Sequence, residues 1–186
     1  MIRIIGGSAK GRKLQGPRGY MFRPTTGRVK EFVFSVLGEK VEGAAFLDLF
    51  SGAGSFGIEA ISRGAGSVVF VDRARQSIDI LRHNIDLCSF SENSRIVRGD
   101  VFRKVRAFEQ EGLTFDVILA DPPFKGMFRQ KIAVTVGSTG ILKKPGLLVI
   151  EHERHDEDSG GHGLHMVRQK NFGGSVVSFY SHGGSS

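Results

Sequence analysis

The chain has 186 residues, 26 Lys and Arg against 19 Asp and Glu, and a formal net charge of +7. That length builds one domain with a full core, and the lone Cys88 excludes a disulfide framework. No charged leader followed by an apolar segment occurs, and no apolar run of membrane length. A soluble protein of a reducing cytoplasm, without membrane association, is therefore expected, and the basic balance points to an acidic partner such as nucleic acid.

The charge is concentrated at the start. Arg3, Lys10, Arg12, Lys13, Arg18, Arg23, Arg28 and Lys30 fall in residues 1–30, which contain no Asp or Glu. Residues 2–5 and 12–14 flank a glycine-rich stretch, the pattern of a small basic hairpin whose donors follow phosphates. Arg23-Pro24-Thr25-Thr26 then leads into a helix over 24–38. Thr26 is its expected N-cap, Val29, Phe32, Val33, Val36 and Leu37 form its apolar face, and Gly38 is its stop.

From residue 46 onward short apolar runs alternate with helical patterns, the signature of a parallel sheet covered on both faces. Strands are expected over 46–50, 68–71, 95–97, 115–120 and, after a turn at Lys144-Pro145-Gly146, over 147–150. Helices follow the first three: one through Ala60 and Ile61, one with Ile78, Leu81 and Ile85 on a face, one marked by Val101, Val105 and Phe108. Two last strands, near 164–167 and 176–180, are joined through Gly173-Gly174, a link so short that it implies an antiparallel hairpin at the sheet edge. The whole is read as a single domain with an arm over 1–22 and a sheet over 45–182. Cys88, near a helix end, is expected to be buried.

Gly52-x-Gly54-x-x-Gly57 after a strand, with Asp72 twenty residues past Gly52, formally satisfies the dinucleotide fingerprint. Asp48, inside the end of the first strand, argues for a different ligand. A carboxylate there would repel a pyrophosphate but favour the cationic aminoacyl-sulfonium end of S-adenosylmethionine. Asp72 would hold ribose hydroxyls, with Arg73 beside it, and Asp100 with Val101 would receive the adenine. The stretch ending in Asp121-Pro122-Pro123-Phe124 reads as a buried strand that stops at a proline pair, in the loop where open α/β sheets bind ligands. The Asp121 carboxylate and the Pro122 carbonyl could each accept one N–H of a nucleobase amino group, and Phe124 could stack on the base.

The segments Arg3-Ile4-Ile5-Gly6-Gly7, Gly11-Arg12-Lys13-Leu14, Arg23-Pro24-Thr25-Thr26, the run from Leu47 to Gly54 and Asp121-Pro122-Pro123-Phe124 together resemble the bacterial RsmD-type 16S rRNA (guanine(966)-N(2))-methyltransferases. The resemblance covers essentially the whole chain. It implies a Rossmann-like class I α/β fold with a seven-stranded, mostly parallel sheet whose last strand is antiparallel. It also implies S-adenosyl-L-methionine as donor and the N2 amino group of a guanine in 16S rRNA, within the small ribosomal subunit, as acceptor. Asp121, Pro122 and Phe124 would be catalytic. Asp48, Gly52, Gly54, Asp72, Arg73, Asp100 and Val101 would hold the cofactor, and Arg3, Lys10, Arg12, Lys13, Arg23 and Arg28 the RNA, with the protein acting as a monomer. Gly27 departs from the pattern, standing where the family usually has an acidic residue.

The residues alone leave the target atom open, because adenine N6 and cytosine N4 present the same NH2 group as guanine N2. A nicotinamide-dependent oxidoreductase and a non-catalytic RNA-binding domain are the other readings. The first does not explain the basic arm beside Asp121-Pro122-Pro123-Phe124, and the second does not explain the acidic strand ends. His152, His155, His162 and His165 form two HxxH pairs, but without a Cys and around a polar, glycine-rich stretch, so no metal is expected.

Overall fold

A computed structural model of the chain describes residues 2–16, 26–123, 128–154 and 162–183. The basic opening is a hairpin: β1 (Ile2–Arg3) pairs antiparallel with β2 (Lys13–Leu14), Ile2 opposite Leu14. It is not a solvated arm, for Ile2, Ile4 and Leu14 alternate inward and are buried in the core. Helix α1 (Gly27–Leu37) follows, with the Thr26 hydroxyl accepting from the Val29 N–H at 3.3 Å and Gly38, at φ 51°, ending it. Arg18, Arg23 and the first part of the expected helix lie outside the described residues.

The alternation that follows gives β3 (Ala45–Leu49), α2 (Ser55–Ser62), β4 (Ser67–Asp72), α3 (Arg75–Cys88), β5 (Ser94–Arg98), α4 (Val101–Gln110), β6 (Phe115–Ala120), α5 (Phe128–Gly137), β7 (Leu142–His152), β8 (Leu164–Phe172) and β9 (Ser175–His182). The last eleven elements contain one seven-stranded sheet in the order β5-β4-β3-β6-β7-β9-β8. β3 to β7 run parallel, β9 inserts antiparallel beside β7, and β8 pairs with β9 at the edge. The hairpin through Gly173 is thus as expected. Cys88 is buried.

Two layers cover the sheet. The hairpin, α1, α2 and α3 pack on one face over Phe46, Phe70, Leu119 and Phe179; α4 and α5 pack on the other over Leu47, Leu49, Ile118 and Ile150. Each such side chain contributes about 1.5–3 kcal/mol when fully buried, so both faces are anchored independently of the site.

Three sequence expectations need correction. α5 was not foreseen. Lys144-Pro145-Gly146 is not a turn ahead of a strand but an irregularity inside β7, whose register to β6 moves from Phe115↔Leu142 to Val117↔Leu147. Lys30, counted among the arm's cations, is buried: its ammonium donates to the Glu59 carboxylate at 3.1 Å and to the Arg3 carbonyl at 2.6 Å.

The hairpin lies along α2. Its tip is fixed at the last turn of that helix, where Ser8 N–H donates to the Ser62 carbonyl (2.7 Å), Ala9 N–H to the Ser62 hydroxyl (3.0 Å), and that hydroxyl to the Gly6 carbonyl (2.6 Å). A Cβ on Gly7 would stand 1.6 Å from the Ser62 oxygen, so only glycine admits this contact. The other end of the hairpin is held by Asn84 of α3, which exchanges two hydrogen bonds with the Gln15 backbone and donates a third to the Ala53 carbonyl.

Candidate active site

The carboxyl ends of β3, β4, β5 and β6 open on one cavity of about 570 Å³, within the range of small-molecule sites. Asp48, Gly52, Asp72, Arg73, Asp100, Val101, Asp121 and Pro122 all line it, so residues spread over 75 positions of sequence meet at one place. Gly54 does not. At φ 83° it turns toward the core, and a Cβ there would lie 2.5 Å from Leu81, so it shapes the loop while Gly52 faces the cavity.

Each acidic end is placed by local chemistry. Asp72 ends β4 and its two carboxylate oxygens accept from Gly52 N–H (2.9 Å) and Ala74 N–H (2.8 Å), tying the glycine loop to the next strand. Asp100 caps α4, accepting from Arg103 N–H at 3.1 Å; it is a helix cap and a cavity wall at once. Asp48 is 2% exposed and, among the described residues, its carboxylate accepts one hydrogen bond, from Gly57 N–H at 2.9 Å. Gly57 permits this approach, since a Cβ would be 2.2 Å from the Phe70 ring. Burial, helped by the nearby charges of Asp121 and Asp72 and opposed by the Gly57 N–H, pushes the Asp48 carboxyl up to about 8.

Asp121 and Pro122 follow the last residue of β6, and Asp121 N–H reaches back to the Leu49 carbonyl at 3.5 Å, holding the loop across β3. Phe124 lies outside the described residues. Three other aromatics line the cavity on the α4 and α5 side and were not foreseen: Phe50, Phe102 and Phe128, with centroids 5.7 to 6.3 Å apart and the last two rings within 5° of parallel. Phe50 has φ 59°, a costly conformation for a bulky side chain that persists where its surroundings impose it, commonly at a ligand site. That torsion has no sequence signal, because nothing marks a phenylalanine as left-handed. Ile2 also lines the cavity, so the hairpin supplies part of its wall.

The expected RNA contacts divide. Arg3, Lys10, Lys13 and Arg28 are exposed. Arg12 is exposed as well, but its guanidinium donates to the Leu87 carbonyl near the end of α3. Arg23 lies outside the described residues. His152 is buried between the Ser178 hydroxyl and the Glu153 carbonyl, both at 2.8 Å, and among the described residues no group of three or more His, Cys, Asp or Glu stands in a metal-holding arrangement. No described helix is long and apolar enough to cross a membrane.

This sheet order, with a glycine loop after the first parallel strand and an acidic cavity at the strand ends, defines a Rossmann-like class I methyltransferase fold. The solved structure described as "Putative methyltransferase yhhF from Escherichia coli" superposes with a TM-score of 0.86 at 30% identity, covering 97% of each chain. The chain belongs to the family described as "Conserved hypothetical protein 95", which matches residues 2–181 and is the RsmD-type family. Among its relatives, "Putative rRNA methyltransferase YlbH" of Bacillus subtilis is 34% identical over 96% of this chain and 98% of its own length. "Ribosomal RNA small subunit methyltransferase D" of Escherichia coli K12 is 32% identical over 82% and 75%.

Proposed function

We propose that the chain transfers a methyl group from S-adenosylmethionine to the exocyclic N2 amino group of a guanine in 16S rRNA, within the small ribosomal subunit. The observation that carries this is the meeting of Asp48, Asp72, Asp100 and Asp121 around one cavity, a wall suited to a cationic nucleoside and hostile to a pyrophosphate. The family relatives named as small-subunit rRNA methyltransferases supply the substrate class.

The residues fit the cofactor. Asp48 is a buried carboxylate with one backbone donor, and Ser55, at the start of α2, turns a buried hydroxyl with no partner among the described residues toward the same space; an ammonium and a carboxylate of an amino acid would satisfy these two. Asp72 retains lone pairs for ribose hydroxyls, and Asp100 with Val101 borders the space for adenine. When bound, S-adenosylmethionine supplies an electrophilic methyl group on a sulfonium. The guanine N2 lone pair is delocalised into the ring and must be turned toward that methyl. Asp121 and the Pro122 carbonyl each accept one N–H, and the Asp121 charge stabilises the positive nitrogen as it forms. As the N–C bond forms, the S–C pair remains on sulfur and the surplus proton leaves through Asp121 or solvent.

The test is nucleoside analysis of small subunits lacking the modification after incubation with the protein and labelled S-adenosylmethionine. N2-methylguanosine is the expected product. N6-methyladenosine or N4-methylcytidine would give the site to a different base, and no transfer to either subunits or free RNA would overturn the reading.

A further inference from the structure

β8 is the edge of the sheet, and its side chains are exposed from His165 to Asn171. Residues 162–183 carry Arg168, Lys170 and three histidines, with no Asp or Glu. After an irregularity at Val167, Arg168 stands opposite Phe179 and Lys170 opposite Val177, so both point to the face covered by α1. There the Arg168 guanidinium carbon lies 5.4 Å and the Lys170 ammonium 4.7 Å from the centroid of the Phe32 ring, and Lys170 is 5.6 Å from Phe172. Two cations about 7 Å apart along the strand thus share one ring, and neither has an ion-pair partner among the described residues. Such a pair repels itself until an anion lies between its members.

Its position suits the phosphate backbone of an RNA whose base enters the cavity. Lys170 pairs with Val177, and Val177 with Glu151 of β7, which lines the cavity. Lys170 is therefore level with the cavity and two strand spacings, about 10 Å, from its wall. The tip of the N-terminal hairpin points the other way: it is fixed at Ser62, about 10 Å along α2 from the cavity residue Ser55. Cations at that tip would therefore meet a different stretch of the RNA backbone from those on β8. We infer that Arg168 and Lys170, seated on Phe32, form a second RNA-binding edge that grips the phosphate backbone close to the target nucleotide. This rests on the RNA reading above. The aromatic ring fixes the cations in place, and the exposed strand leaves them open to the partner.

The test is the salt dependence of binding of a labelled small-subunit rRNA fragment to the full chain and to the Arg168→Ala/Lys170→Ala variant. Both substitutions are at exposed side chains, so folding is expected to be intact, and an unchanged thermal shift with S-adenosylmethionine checks it. Loss of two phosphate contacts should make the slope of log K against log salt shallower by about 1.4 to 1.8 and weaken binding several-fold at moderate salt. If the parent binds with a steep slope and the variant keeps it, the edge is not an RNA contact. Gain of self-association by the variant with an unchanged slope would likewise overturn the inference, assigning these cations to guarding a sheet edge. A parent without salt-dependent RNA affinity would instead overturn the functional reading itself.

Discussion

Two buried carboxylates, one on α2 and one on β3 beneath its first turn, are treated in opposite ways. Glu59, on α2, is fully buried and completely engaged: Lys30 at 3.1 Å and Ile5 N–H at 2.9 Å on one oxygen, Arg63 at 2.8 Å on the other. It joins the hairpin, α1 and α2. Burial drives the Lys30 ammonium down from its ordinary value while Glu59 pulls it back up. Asp48, beneath the first turn of α2, has one backbone donor and carboxylates for neighbours. The difference separates architecture from chemistry: where the fold needs a buried charge it supplies the counterions, and where a ligand is to come it leaves them out.

Removing either side of this contrast should have unlike effects. Glu59→Gln leaves the buried Lys30 without its counterion and should cost about 3–5 kcal/mol in urea unfolding, whereas Asp48→Asn replaces a carboxyl already protonated at pH 7 with a neutral amide and should leave stability there about the same. Equal losses would break the contrast. Next in size, Asp121→Ala should slow single-turnover methyl transfer by about a hundredfold or more while cofactor affinity changes less; a rate within a few-fold of the parent would make the loop structural. Asp72→Ala should weaken cofactor binding by about 1.5–3 kcal/mol, part of it through the Gly52 and Ala74 N–H groups it would release. Equilibrium binding measured well below the variant's melting temperature checks this. The smallest effect is at α1, whose first turn has no acidic residue. Gly27 has open space beyond Ile5 at 3.9 Å, so Gly27→Glu should add about 1 kcal/mol and raise Tm by roughly 2–4 °C.

The parallel strands were legible as short, mostly apolar runs, and the acidic residues were legible by position: Asp72, Asp100 and Asp121 stand at or just past strand ends, and Asp48 interrupts the end of an apolar run. α5 was not. Ile132, Ala133 and Val136 are buried, but so are Arg129 and Thr135, so polar and apolar residues share the inward face and the helical period is lost. β8 was expected to end near Val167, since Arg168 to Asn171 are polar on both faces; an exposed edge strand needs no alternation. The networks around Glu59 and Asn84 join positions 54 and 69 residues apart, and no local pattern encodes such pairings.

On the proposed function, the cavity receives a cationic nucleoside against Asp48. With its carboxyl pushed up to about 8, Asp48 keeps its proton at pH 7, and a ligand cation beside it favours the ionised form, so binding must expel a proton. Calorimetric titration with S-adenosylmethionine in buffers of different ionisation enthalpy reads this directly. The parent should release more protons than Asp48→Asn at pH 7, the difference should vanish once pH is well above 8, and NAD should bind to neither protein. Equal proton counts for parent and variant at pH 7, or binding of NAD as tight as that of S-adenosylmethionine, would contradict it.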